Sequence, residues 1–141
     1  MTSIILVVAT RLIFPLMLMF SLFLLLRGHD APGGGFVGGL MAASAFALFA
    51  FATSVTRARD ALRRSTFRLI GIGLLFAFVS GLPGLFAGSP FLRALWTSTE
   101  LPVIGKLSSV LLFDTGVLLV VVGVTLTIVF AMAEADEEEE E

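Results

Sequence analysis

Cysteine does not occur in this chain, which excludes a disulfide framework, thiol chemistry and any cysteine-ligated metal site. Charge is nearly as scarce: 14% of the 141 residues are Asp, Glu, Lys or Arg, against about a quarter in soluble domains. Histidine occurs once, at His29. No Ser-His-Asp or Cys-His set with a plausible base can be assembled, so hydrolytic and acyl-transfer chemistry is disfavoured and the chain is read as non-enzymatic. The glycine-rich stretch near residue 34 is followed by no Lys-Ser or Lys-Thr pair and preceded by no strand, and a phosphate-binding P-loop is therefore rejected. No cofactor, resident metal or nucleic-acid partner is expected.

What the chain has instead is apolar surface. Hydrophobic residues make up 57% of it and its mean hydropathy is +1.05, values that belong to an integral membrane protein. A helix needs about 20 apolar residues to cross a hydrocarbon core of roughly 30 Å. Four runs qualify, at residues 4–26, 36–55, 69–87 and 107–132. They are apolar all round and lack the short alternating pattern of barrel strands. The expected fold is an all-α membrane protein with four transmembrane helices, forming one domain over residues 1–133. The N-terminus has no basic region ahead of its first apolar run, and that run is too long for a signal-peptide core, so the first span is expected to stay in the mature protein.

The few charges are segregated. Arg57, Arg59, Arg63, Arg64 and Arg68 crowd the short second connection, whereas Arg27 stands alone in the first and Arg93 and Lys106 share the third. By the positive-inside rule this places both termini in the cytoplasm, with the glycine-rich loop and the connection between residues 88 and 106 outside. A short interfacial helix is expected in that outer connection, with Ser89 as N-cap, Pro90 in the first helical position, and Phe91, Leu92, Leu95 and Trp96 on one side. Seven of the eleven acidic residues fall within residues 134–141, a tail expected to be disordered and solvated.

Membrane helices pack through small residues that let backbones approach. Gly35, Gly39 and Ala43 recur every fourth residue in the second span, Gly73, Ala77 and Gly81 in the third, and Gly116 and Gly123 lie two turns apart in the fourth. These faces suit either packing within the chain or contacts to neighbouring chains. Among polar residues at membrane depth, Asp114 is the sharpest, because a carboxylate inside an apolar helix costs about 2.5 to 3.5 kcal/mol on insertion scales and usually faces protein or water. An ion pathway, an interfacial pairing, or a position near enough to the surface for solvation are the readings. Thr115 could extend a polar path or back-bond to its own helix. Arg11, in the first span, either snorkels to the interface or meets a carboxylate of another chain; its expected depth is too far from Asp114 for pairing. His29 and Asp30 could bind a cation or relay a proton, but together they supply too few ligands for a metal site, and a turn-forming role is the simpler reading.

Three motifs resemble a known family. They are the run from Arg27 through Gly28, His29, Asp30, Ala31, Pro32, Gly33, Gly34 and Gly35 to Phe36, followed by Gly38 and Gly39; then Leu101-Pro102-Val103-Ile104-Gly105-Lys106; then Phe113-Asp114-Thr115-Gly116-Val117. Together they are similar to the B-type subunits (MrpB/MnhB) of the bacterial Mrp-type, or Mnh-type, multisubunit cation/proton antiporters, and the likeness covers nearly the whole chain. Asp30 stands where that family more often has Asn, and the acidic tail lies outside the family pattern. The resemblance implies a multi-pass subunit of an assembly in the bacterial inner membrane, with A-, C-, D-, E-, F- and G-type subunits and the lipid bilayer as partners. It further implies exchange of cytoplasmic Na+ for external H+, with functional residues on the loop from Gly28 to Phe36 and at Asp114. A stand-alone small channel or transporter is the alternative, and a membrane-bound enzyme a more distant one.

Because the chain has no cysteine, its orientation is directly measurable. Single cysteines placed at Ser65 and Ser98 should differ in labelling by an impermeant maleimide on intact cells. Reaction at position 98 alone is expected, and reaction at position 65 would reverse the topology.

Overall fold

The structure is a computed structural model, and it describes residues 3–27, 34–63, 65–86, 96–101 and 105–140. Five helices and one strand pair make up these residues: α1 (Ile4–Arg27), α2 (Gly34–Ala52), α3 (Val55–Leu62), α4 (Thr66–Phe86), β1 (Trp96–Leu101), β2 (Gly105–Ser108) and α5 (Ser109–Glu140). Four helical stretches are long and apolar enough to cross a membrane, so the four-span reading holds. Their bounds shift by a few residues, and Leu107 lies in β2 rather than in the last helix.

The helices form a row, not a closed ring. Extensive contacts join α1 to α2, α2 to α5, and α5 to α4, while α1 touches α5 only slightly. The last helix in sequence therefore sits inside the row. Its packing explains where the small residues are. A Cβ added at Gly73 would lie 2.6 Å from the carbonyl oxygen of Gly116, and one added at Gly116 would lie 2.8 Å from the Ala77 nitrogen. At Gly123 it would meet the Thr66 carbonyl oxygen at 2.8 Å, and at Gly39 the Leu118 carbonyl oxygen at 3.0 Å. Backbone meets backbone at these points, which only glycine allows. Ala43 is fully buried and belongs to the apolar core formed with Ala42, Ala50, Val122, Leu126 and Phe130. The stripes in the second, third and fourth spans are thus used within the chain.

A buried hydrogen bond and a partly buried aromatic cluster join α1 to α2. Ser21 Oγ donates to the carbonyl oxygen of Gly38 at 2.6 Å, a bond possible because Gly38 brings the two backbones together. Nearer the other end, the Phe14 ring stands edge-on to Phe46 at 5.1 Å and packs against Phe49 at 5.3 Å. Pro15 lies inside α1; it supplies no N–H to the carbonyl of Arg11 and its ring crowds that carbonyl.

The arginine-rich connection is itself helical. Ser54, in an extended conformation, caps α3 by accepting a hydrogen bond from the Arg57 amide, and Arg63 ends it in the left-handed region, its N–H bonding to the carbonyls of Arg59 and Asp60. Val55 and Ala58 are buried against α2 and α5, while Arg57, Arg59 and Asp60 are exposed. Such an amphipathic segment is too short to read as a span and too charged to read as core, so the charge run concealed its periodicity.

Two expectations change. Trp96 opens strand β1, which pairs antiparallel with β2 through Trp96 opposite Ser108 and Leu101 opposite Gly105. The run Trp96-Thr97-Ser98-Thr99 favours an extended chain, so Trp96 is not part of an interfacial helix. The remainder of that expected helix, residues 89–95, lies outside the described residues. The acidic tail is also not irregular: α5 continues to Glu140. Extending a helix needs no new nucleus, Ala and Glu are good helix formers, and Arg59 holds Glu134 at 3.2 Å. At 32 residues, α5 is about 48 Å long at 1.5 Å per residue, so it projects beyond a bilayer core of roughly 30 Å.

Gly71 provides an internal control, since a Cβ there meets nothing within 4 Å. Gly71→Ala should leave thermal unfolding in detergent unchanged or raise stability by about 0.5–1 kcal/mol through reduced backbone freedom. Gly73→Ala, on another face of the same helix, should lower stability by about 1–3 kcal/mol from overpacking.

Candidate functional site

Asp114 lies in the second turn of α5, where α5 meets the first turn of α2. A Cβ at Gly35 would collide with the Asp114 carbonyl oxygen and come within 2.9 Å of its carbonyl carbon. The glycine of the loop motif and the acid of the third motif, 79 positions apart in sequence, are therefore joined by direct backbone contact. Asp114 is only 7% exposed in the chain, so the solvated reading does not hold for it. Thr115, its neighbour, donates its hydroxyl to the carbonyl of Leu111 at 2.9 Å, and Thr127 does the same to Gly123 at 2.7 Å. Both hydroxyls thus bond back to their own helix.

The remaining expected site residues are dispersed. Gly34, Gly35 and Phe36 open α2, with Gly35 buried and Phe36 about half exposed. Gly28, His29, Asp30, Pro32 and Gly33 lie outside the described residues. Gly81 is buried in α4. Arg11 stands toward the opposite ends of the helices. Ser21 is level with Gly38, which lies three residues inward of Gly35; counting from Ser21 back to Arg11 gives an axial separation from Asp114 of about 20 Å at 1.5 Å per residue. Arg11 and Asp114 cannot pair within one chain. Among the described residues no three His, Asp or Glu side chains gather as metal ligands would.

Residues 5–127 match the family described as "Domain related to MnhB subunit of Na+/H+ antiporter". The chain belongs to the MnhB family. Relatives of similar length bear this out: the chain is 41% identical over 136 residues to the B-type subunit of the Na(+)/H(+) antiporter of Bacillus subtilis (strain 168), covering 95% of each. It is 39% identical over 129 residues to the corresponding Na(+)/H(+) antiporter subunit in Alkalihalophilus pseudofirmus, covering 90% of each. Among solved structures, a chain of the Mrp complex from Dietzia sp. DQ12-45-1b is similar, with a TM-score of 0.77 and 33% identity. That likeness covers 92% of this MnhB-family chain and 14% of the much longer Dietzia chain.

Two residues of interest escaped the sequence reading. Ser21 forms the buried interhelical bond to Gly38, and Thr10 is 2% exposed next to Arg11. Each is a small hydroxyl in an apolar run, a signal too common to single out without the helix it faces. Ser21→Ala should lower the stability of the chain by about 0.6 kcal/mol, the average for interhelical side-chain hydrogen bonds in membranes; chemical or thermal unfolding of the purified protein in mild detergent measures it.

Proposed function

We propose that this MnhB-family chain is an accessory subunit of a multisubunit Na+/H+ antiporter in the bacterial cytoplasmic membrane, driven by the proton gradient. Its partners are the A-, C-, D-, E-, F- and G-type subunits, the surrounding lipid, and the transported Na+ and H+. It contributes packing surface to the assembly, and Asp114 forms part of the wall of a cation path. One observation carries the reading: end-to-end similarity to B-type antiporter subunits, at 41% identity over 95% of both chains.

The distribution of ionisable groups supports an accessory role. Proton relays through membranes use successive acids, histidines or lysines, yet away from the helix ends the described spans hold Arg11 and Asp114 alone. A stand-alone transporter would need more. An enzyme would need a reactive set, and none can be assembled from one histidine and no cysteine. Gly34, Gly35 and Phe36 form the first turn of α2, which lies against Asp114, and any larger residue at Gly35 would displace the acid's own backbone.

The purified complex in proteoliposomes tests both parts. A tagged chain should bring down several large hydrophobic subunits; a monodisperse homo-oligomer with transport activity of its own would refute the accessory role. Asp114→Asn should leave subunit composition intact and slow Na+-dependent proton exchange by about tenfold or more, equivalent to 1.4 kcal/mol in barrier height. Unchanged exchange would remove Asp114 from the path.

A further inference from the structure

At the ends of the helices away from Asp114, α1, the end of α2 and the start of α3 border a cavity of about 180 Å³ lined by Val7, Thr10, Arg11, Phe49, Thr53 and Arg57. A wider hollow of about 390 Å³ shares Val7, Thr53 and Arg57 with it and adds Ala52 and Ser54. Arg11 and Arg57, both exposed, are among the residues that line this space, and no Asp or Glu is among the described ones. The other arginines of α3 are differently placed: Arg59 pairs with Glu134 and lies over the Phe130 ring, and a separate hollow holds Arg59, Asp60, Arg63 and Ser65 together.

Thr10 points to what the cavity holds. It is 2% exposed, and its hydroxyl has no hydrogen-bond partner among the described residues. Thr53, on the same cavity, satisfies its own hydroxyl through the Phe49 carbonyl at 2.7 Å. A buried hydroxyl without a partner is costly, and here it lines, together with Arg11 and Arg57, a space of about 180 Å³, several times the roughly 30 Å³ a water takes up in the liquid. The space suits a polyatomic anion. Its remaining walls are apolar, and the α1 residues flanking Thr10 and Arg11 are apolar and exposed: Val8 is 61% and Leu12 68% accessible. The cavity thus lies beside exposed apolar surface of α1, next to α3, an amphipathic basic helix of a kind suited to the headgroup boundary.

We propose that this cavity binds the phosphate of an anionic phospholipid, with Arg11 and Arg57 holding phosphate oxygens, the Thr10 hydroxyl donating a further hydrogen bond, and Val7 and Phe49 bordering the glycerol end. Guanidinium forks match phosphate oxygens in geometry and in charge, and basic pockets between membrane helices are a recurrent way of holding lipid headgroups. Arg11, which otherwise has no evident role so far inside a span, then acts as a ligand and not as a residue escaping to water.

Native mass spectrometry of the delipidated full-length chain, and of the assembled complex, tests this with phosphatidylglycerol as probe, phosphatidylcholine as the neutral-headgroup control and inorganic phosphate as competitor. Phosphatidylglycerol should be retained in preference to phosphatidylcholine. The pair Arg11→Gln/Arg57→Gln should weaken its binding about tenfold or more, equivalent to 1.4 kcal/mol. Arg63→Gln/Arg68→Gln, which removes the same charge, should leave binding unchanged, and Arg11→Lys should keep most of it. Equal losses in the two pairs would mean diffuse surface attraction and overturn the site. Displacement by millimolar inorganic phosphate would make it a free-anion site and overturn the lipid assignment. Binding by the isolated chain but not by the complex would mean that a neighbouring subunit fills the cavity, and would overturn it as well.

Discussion

The close approach of α5 to the helices on either side of it governs this structure. Gly116 and Gly123 meet α4 through backbone atoms, and Gly35 and Gly39 meet α5 from α2 in the same way. In a bilayer no hydrophobic drive brings helices together, since lipid tails are as apolar as leucine; contact area and short backbone separations must supply the attraction. Glycine at these positions is what permits that separation. It also sets the chain order in space, because the last helix can lie inside the row only if both neighbours present a smooth face to it.

The row leaves long apolar surfaces open. Leu12, Leu16, Met19 and Phe23 of α1 and Leu74, Leu75 and Phe78 of α4 are each more than half exposed, as expected of helices that face lipid or other membrane proteins. The glycines of the small-residue faces meet helices of the same chain, which leaves these bulkier surfaces open. The two ends of the helices differ in character. One carries a single buried acid held against a glycine turn; the other gathers arginines from α1 and α3, one of them tied to the helical acidic segment at Glu134.

Much of the architecture was legible from residue order alone, because apolar runs of about 20 residues have few alternatives in a membrane. The glycine spacing was legible too, but the helix each stripe faces is a tertiary fact that periodicity does not encode. Helix α3 was hidden by its own arginines, which read as a loop although Val55, Ala58 and Leu62 follow a helical period. The tail was misread for a related reason: a run of acids signals solvation, yet as the continuation of an existing helix it bears no nucleation cost. At the site, Asp114 stood out by its chemistry, whereas Thr10 and Ser21 did not, since a buried hydroxyl gains meaning only from what it faces.

The most direct test of the central packing claim is thermal unfolding of the isolated full-length Gly39→Leu chain in detergent, before any other subunit is present. A leucine there meets the Leu118 carbonyl and Val121 of α5, so a clear drop in melting temperature relative to the unsubstituted chain is predicted. An unchanged melting temperature, with the defect emerging only when the complex assembles, would show that the glycine face serves a neighbouring subunit and would contradict the packing described.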